Sequence, residues 1–454
     1  MRRTLTALLL LLGLAVALPA PAQFQAWEGS EILQDPEWRK RFLGSYGFLS
    51  GAEPQIAPGE LAVLREVIDL MKVNPRAAAT MLEQKVTPES SAAFDFILAN
   101  LHFQNGNLPG AASSYASALD KFPDFRRAHK NMGLLLVQRG EFLEAAGHLT
   151  RAIELGDRDG RNFGLLGYCY LQVERYLAAE QAYRNAILQQ PGTRDWKLGL
   201  ARALLATEQY RDAVSLFDEL IETDPESHTA WLLQANAYIG LEQPEAAAVN
   251  LEAVRMLGKA DASSLILLGD IYMNAGMTEL AKNAYLEVIE KDAANVQFAT
   301  AYRAADLLIR TGAWGDADDV LQSIDARYTK TLGVDDELKV LTLQAKLARA
   351  QGRKAEAAKI LTKVVDQDGT RGDALLELAD YYKTQGNEER ALLLIERAQN
   401  LEAYEYPALL ANAQLRVSGR DYARAAQLLR EALKIRNEPR VEQFLARVEQ
   451  AIRR

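Results

Sequence analysis

The chain has 454 residues, 49% hydrophobic and 25% charged, which supplies a large buried core and excludes a disordered chain. Its formal net charge of −9 lacks the basic footprint of a nucleic-acid binder, and acidic lipid surfaces repel it on average. With a single cysteine, Cys169, no intramolecular disulfide forms, so stability has to come from packing.

The chain opens on Arg2 and Arg3, an uncharged apolar run over residues 5–18, and the small residues Ala20, Pro21 and Ala22. That order predicts an exported protein whose signal peptide, residues 1–22, is cleaved before Gln23. The run of about 14 residues is short of the roughly 20 that span a bilayer, so no stable membrane insertion is expected after cleavage. Removing the two leader arginines moves the net charge from −9 to −11. A Gram-negative periplasm fits both the leader and the economy of cysteine.

Residues 23–59 carry Trp27, Trp38, Phe42, Tyr46 and Phe48 among glycines and prolines, without helical or strand period. They read as an irregular arm with aromatic anchors, which either folds back or awaits a partner. Residues 60–71 and 76–84 are amphipathic and predict a worn helical pair within 60–91 that caps the following array.

From residue 92 one pattern recurs every 34 residues, with repeats beginning near Ala92, Arg126, Gly160, Arg194, His228 and Ala262. Others begin near Phe298, Leu338, Gly372 and Tyr406. The eighth position is small throughout: Ala99, Gly133, Gly167, Ala201, Ala235, Gly269, Ala305, Ala345, Ala379 and Ala413. The twentieth is always alanine: Ala111, Ala145, Ala179, Ala213, Ala247, Ala281, Ala317, Ala357, Ala391 and Ala425. Two antiparallel helices cross closely only where small side chains face each other, so each repeat is a helix pair. Tyr115, Tyr183, Phe217 and Tyr285, four places later, fill the space between repeats. Gly106, Gly140, Gly276, Gly312, Gly352 and Gly386 stand at the turn within a pair, and Pro123, Pro191 and Pro225 end second helices.

Two interruptions stand out: the extra residues Val296 and Gln297, and the six-residue spacer 332–337. They divide the array into sub-arrays 92–331 and 338–439, expected to hinge at the joint. Residues 440–454 predict a capping helix with Val441, Phe444, Leu445, Val448 and Ile452 on one stripe.

The unit 160–193, with Leu166, Gly167, Tyr170, Ala179, Tyr183, Ala186 and Pro191, closely resembles the tetratricopeptide repeat family. The likeness extends over roughly four fifths of the chain. It implies an all-α, right-handed superhelical solenoid of antiparallel helix pairs, about ten repeats long plus the capping helix. In that family the second, fifth, ninth, twelfth and thirteenth positions of a repeat face a ligand groove. Here the resemblance places Phe96, Asn100, Phe103, Gln104, Arg127, Lys130, Gln138, Arg161, Tyr168, Gln172 and Arg202 on it. Asp270, Asp306 and Asp380 follow in later repeats, so the groove is expected to change sign along its length. Lys130 occupies the first lysine position of the carboxylate-clamp subfamily, but Leu134 replaces its companion asparagine.

Catalytic chemistry has little to work with. His102, His129, His148 and His228 form no His-x-x-x-His pair, and no nucleophile elbow or phosphate loop is present. Asp318–Asp319 and Asp335–Asp336 read as turns or solvated helix faces, and Cys169 as a buried hydrophobe. The expectation is therefore a protein that is not an enzyme, uses no cofactor or metal, and binds other proteins or peptides, among them envelope proteins. Phe42, Leu43, Gly44, Ser45, Tyr46 and Gly47, followed by the stretch 122–133, resemble repeat proteins accompanying TonB-type energy transduction. The alternative is an accessory subunit that regulates an envelope polysaccharide or peptidoglycan enzyme.

Overall fold

The computed structural model describes residues 53–292, 294 and 297–453; the leader, Val296 and the aromatic anchors of the arm lie outside them. The described residues form 23 α-helices. The first pair is α1 (Leu61–Val73) and α2 (Pro75–Glu83). The next helices are α3 (Ala92–Gln104), α4 (Leu108–Lys121), α5 (Arg126–Gln138), α6 (Phe142–Glu154), α7 (Gly160–Gln172) and α8 (Tyr176–Gln189). α9 (Arg194–Ala206), α10 (Tyr210–Thr223) and α11 (His228–Gly240) complete the first of two compact units, which ends at Gln243.

The second unit begins at Pro244 with α12 (Pro244–Met256), then α13 (Ala262–Asn274), α14 (Thr278–Lys291), α15 (Phe298–Thr311) and α16 (Trp314–Tyr328). It continues through α17 (Val334–Ala350), α18 (Lys354–Gln367), α19 (Gly372–Thr384) and α20 (Glu388–Gln399). After a short 3-10 turn come α21 (Glu405–Ser418), α22 (Tyr422–Ile435) and α23 (Pro439–Ile452).

Capping fixes where many helices start. Asn74, Ser91, Asp159 and Asp261 each turn a side-chain oxygen onto a backbone N–H of the first turn, satisfying donors the helix cannot. Within a pair, the residue that reverses the chain has positive φ in every repeat. Gly106, Gly140, Gly276, Gly312, Gly352 and Gly386 take it with φ of 73–84°. Glu174, Glu208, Glu242 and Arg420 adopt the same conformation with φ of 58–61°, where a side chain crowds the backbone.

Packing follows the small-residue columns. Ala99, Ala111, Ala145, Ala179, Ala201 and Ala213 are fully buried. The Tyr183 ring on α8 lies between Gly167 on α7 and Gly199 on α9. A Cβ added to Gly199 would come 2.2 Å from the ring, and one added to Gly167 would come 2.9 Å from it. One continuous core therefore joins the repeats of the first unit from Ala92 to Ala237. The pair α1–α2 closes its open end by packing Val67, Ala78 and Leu82 on Phe94, Ile97 and Leu101. At the far end of the second unit, Val441 and Val448 of α23 pack on Leu409 and Leu429, while Ile452 is exposed.

The spacer 332–337 differs from expectation. The chain divides instead at Gln243 and Pro244, and one hydrophobic cluster runs from Met273 to Leu347 across the supposed joint. The reason is local: Asp335, Asp336 and Glu337 sit in the first turn of α17, where acidic side chains complement the positive end of the helix dipole. Lys339 reinforces the turn at 2.8 Å from Asp335 and 2.7 Å from Asp336. Most of the spacer has become helix.

His129 and His148, 19 residues apart, meet where α5 faces α6, with Nδ1 atoms 2.9 Å apart. Nε2 of His129 is 2.9 Å from the Pro123 carbonyl oxygen and must donate to it. Its Nδ1 is then the acceptor for Nδ1–H of His148, which requires a neutral His129 ring. Burial lowers the pKa of His148 to about 4, with His129 adding to the effect. Burial also lowers His129, helped by Arg151 and opposed by the Pro123 carbonyl and Asp124.

Three outcomes follow from these packing features. Glu208→Gly relieves a left-handed residue and should raise stability by about 1 kcal/mol, while Gly140→Ala should lower it. Chemical denaturation of both variants checks the pair of opposite signs. Gly199→Ala and Ala179→Leu overfill the joints on either side of Tyr183 and should each cost roughly 1–3 kcal/mol, read from thermal melts. The histidines hold fewer protons folded than unfolded, so their contribution is intact above the ordinary value near 6.5 and declines as pH falls toward 4. Between those limits the parent should lose roughly 1–3 kcal/mol more than His148→Asn, compared by melts across that pH range.

Candidate functional site

The first helices α3, α5, α7 and α9 carry the expected groove residues, and the structure sorts them into three kinds. Phe96 is core: it is fully buried, with its ring 4.8 Å from Phe125 and 6.1 Å from Tyr115. Asn100 is buried as a junction, accepting from Tyr115 Oη and from Asn131 Nδ2 at 2.9 Å. Phe103 is buried in the same cluster, and Tyr168 is buried edge-on against Phe142 at 5.7 Å. Placed on the ligand groove by the resemblance, these four side chains are buried in the structure. α3 packs Phe94, Ile97 and Leu101 on the α1–α2 pair and Phe96 and Phe103 into the core shared with α4 and α5.

The second kind is basic and already engaged. Lys130 is only 9% exposed and lies 3.5 Å from Asp157 and 3.3 Å from Asp159. Arg161 reaches Asp159 through Nη2 at 2.6 Å and Nε at 2.9 Å. Asp159 also caps α7 by accepting from the Arg161 N–H. Burial alone would raise its carboxyl, but Arg161 and Lys130 outweigh burial and hold it below the usual carboxylate range. Arg202 is half-buried near Tyr183, Tyr168 and Asp195; burial lowers its guanidinium, and those three groups oppose the shift. Gln104 and Gln138 are exposed and Gln172 is half-buried, which makes up the third kind.

Arg127 is the member with a partner the sequence reading did not single out. Its Nε lies 2.6 Å from Glu53 Oε1 and its Nη2 2.7 Å from Glu53 Oε2. The guanidinium is stacked 5.1 Å from the centre of the Phe96 ring and 6.0 Å from that of Phe125. Burial lowers its pKa, and Glu53 opposes the shift. Glu53 precedes the first helix and is held by side chains far along the chain rather than by regular structure. The Gln55 carbonyl accepts from Ser91 Oγ at 2.8 Å, and Glu60 Oε1 accepts from the Ser91 N–H at 2.9 Å. No periodicity marks such a segment; its one signal is a lone glutamate before a proline.

In the second unit, Asp270 accepts from Tyr285 Oη at 2.5 Å and from Arg303 at 2.9 Å. Asp306 lies 3.1 Å from Arg310 and 3.8 Å from Lys346, while Asp380 is exposed. The expected change of sign is thus blunted at two of its three acidic positions. Burial pushes the Cys169 thiol far above its ordinary value, which leaves it unreactive. Among the described residues, no group of three or more histidine, cysteine or acidic side chains could hold a metal ion. No helix among them is long and apolar enough to cross a membrane.

Family models described as tetratricopeptide repeat match residues 74–124, 96–162, 130–195 and 342–407, residues 170–237, and residues 262–295. Together they cover more than half of the chain. DnaJ homolog subfamily C member 3 of Gallus gallus is 22% identical over 325 residues, 65% of this chain and 63% of that protein. The chain therefore spans just under two thirds of that relative's length. Cellulose synthase operon protein C of Xanthomonas axonopodis pv. citri (strain 306) is 26% identical over 276 residues, 57% of this chain and 18% of that protein. Among solved structures, YrrB, described as a TPR protein with an unusual peptide-binding site, aligns with 21% identity and a TM-score of 0.39. That alignment covers 41% of this chain and 96% of YrrB. Helix pairs at a fixed period, small residues at each crossing and family matches along both units agree: the chain belongs to the tetratricopeptide repeat family.

Proposed function

We propose that this chain is a non-catalytic scaffold of the bacterial cell envelope, which binds extended segments of partner proteins along the first-helix face of its first unit. The observation that carries this reading is the Arg127–Glu53 contact, in which that face holds a non-helical, acidic stretch of polypeptide through an ion pair and a hydrogen bond to one carboxylate. Arginine stacked on aromatic rings and forked onto a carboxylate is a recurrent anchor of protein recognition. The leader pattern in residues 1–22 supports export to the periplasm, where the cleaved chain begins at Gln23.

The resemblance of the stretches 42–47 and 122–133 to TonB-associated repeat proteins makes the partner a membrane motor or its periplasmic linker. A second reading is favoured by the likeness to Cellulose synthase operon protein C across 57% of the chain. On that reading the chain regulates an envelope polysaccharide or peptidoglycan enzyme without doing its chemistry.

Cross-linking and purification of the tagged full chain from its own cells tests the proposal. The expected result is one stoichiometric complex with a chain whose sequenced N-terminus is Gln23. An energy-transducing complex in the eluate favours the first reading and a polymer synthase the second. Recovery of the chain alone, with residues 1–22 intact, would overturn both.

A further inference from the structure

We infer that the carboxylate fork at Arg127 is a peptide-binding site whose ligand is an acidic, extended segment, and that residues 53–60 are a tethered competitor occupying it. This deepens the scaffold reading and rests on it, since it names the chemistry of the partner and the step that controls its entry.

The fork has the geometry of a recognition site. Two nitrogens of one guanidinium face the two oxygens of Glu53: Nη2 donates to Oε2 at 2.7 Å, and Nε lies 2.6 Å from Oε1 as an ion pair. That two-point contact suits a glutamate or a chain-terminal carboxylate better than lysine's single ammonium could. The Phe96 and Phe125 rings lie within cation–π reach of the guanidinium, at 5.1 and 6.0 Å. Glu53 is 2% exposed in its side chain and Arg127 14%, so water competes little for the pair.

The occupant is bound as a peptide would be. Residues 53–58 contain no helix or strand, and Pro54 is buried while Gln55 and residues 57–59 are exposed. The Gln55 carbonyl accepts from Ser91 Oγ, and Glu60 reaches the Ser91 backbone, so the segment crosses from the start of α3 to the start of α5. Such a combination, one anchored side chain with a main-chain contact alongside, is how extended segments are read by protein surfaces. Because the segment runs directly into α1, it faces the site at an effective concentration on the order of millimolar. A partner has to exceed that threshold, which makes the site selective for ligands that extend beyond the fork.

A fluorescently labelled, acetylated peptide spanning residues 53–60 tests this when titrated against the full chain. Glu53→Ala should bind it about tenfold more tightly than the parent, because the tethered competitor has lost its carboxylate. Arg127→Met should show no saturable binding, and the same peptide with glutamine at its first position should bind at least about tenfold more weakly. Circular dichroism checks that each variant keeps its helix content. Should Glu53→Ala or Arg127→Met unfold, Glu53→Gln and Arg127→Lys replace them with the same expected directions. Equal affinity for the parent and Glu53→Ala, binding retained without Arg127, or no binding to Glu53→Ala would each overturn the inference. A cellular partner recovered equally well by the parent and Arg127→Met would leave the scaffold reading standing and remove this one.

Discussion

The distance at which two helices of a pair cross governs most of what this chain does. With alanine at the twentieth position and alanine or glycine at the eighth, backbones approach closely enough for one large side chain per repeat to reach its neighbour. Tyr183, between Gly167 and Gly199, shows the consequence most clearly: the same ring fills one joint and forms part of the next. A chain with one cysteine and no disulfide relies on that interdigitation alone. It also leaves little slack, since a single added methyl at Gly199 falls inside the ring.

The close approach shapes the electrostatics of the first-helix face. Charged side chains that the repeat pattern directs outward lie within reach of the next repeat's turn. Asp159 is the clearest instance, since it caps α7, takes Arg161 from its own helix and takes Lys130 from the preceding repeat. Asp95 on α3 does similar work with Lys121 and Ser117 of α4, at 2.6 Å each. In a protein with a surplus of acidic residues, basic side chains at such joints are drawn inward. Buried pairs of this kind contribute little net stability against an apolar alternative, but breaking one leaves an uncompensated charge. The face is consequently less basic than its residue types imply.

How much of this was legible in the sequence depends on whether a feature repeats. Helix pairs between residue 92 and the C-terminal helix were, because small residues recur at fixed spacing and the crossing tolerates nothing larger. The turns were legible at six repeats through glycine; at Glu174, Glu208, Glu242 and Arg420 the same left-handed backbone is imposed by the two helices despite the side chain. At the spacer 332–337 the insertion length implies a joint, but three acidic residues in a first turn, with Lys339 behind them, make most of it helix. The meeting of His129 and His148 depends on which faces of α5 and α6 oppose each other, and no pair spacing along one helix reveals that. For the groove, family positions pointed to Arg127, but they gave no account of what neighbouring repeats and residues 53–60 would bring to it.

That last difference bears on how a repeat surface comes to recognise anything. Asn100 with Asn131, and Lys130 with Asp159, link one repeat to the next, so changing them alters the stack as well as the face. Arg127 pairs with a residue that belongs to no repeat. The Phe96 and Phe125 rings lie beside Arg127 from inside the array, while its carboxylate comes from a segment outside the repeats. On the proposed reading, recognition varies at this position by changing the source of the carboxylate while the rings remain. Stability demands interdigitation at every joint, whereas the described acidic partner of Arg127 comes from outside the repeating units.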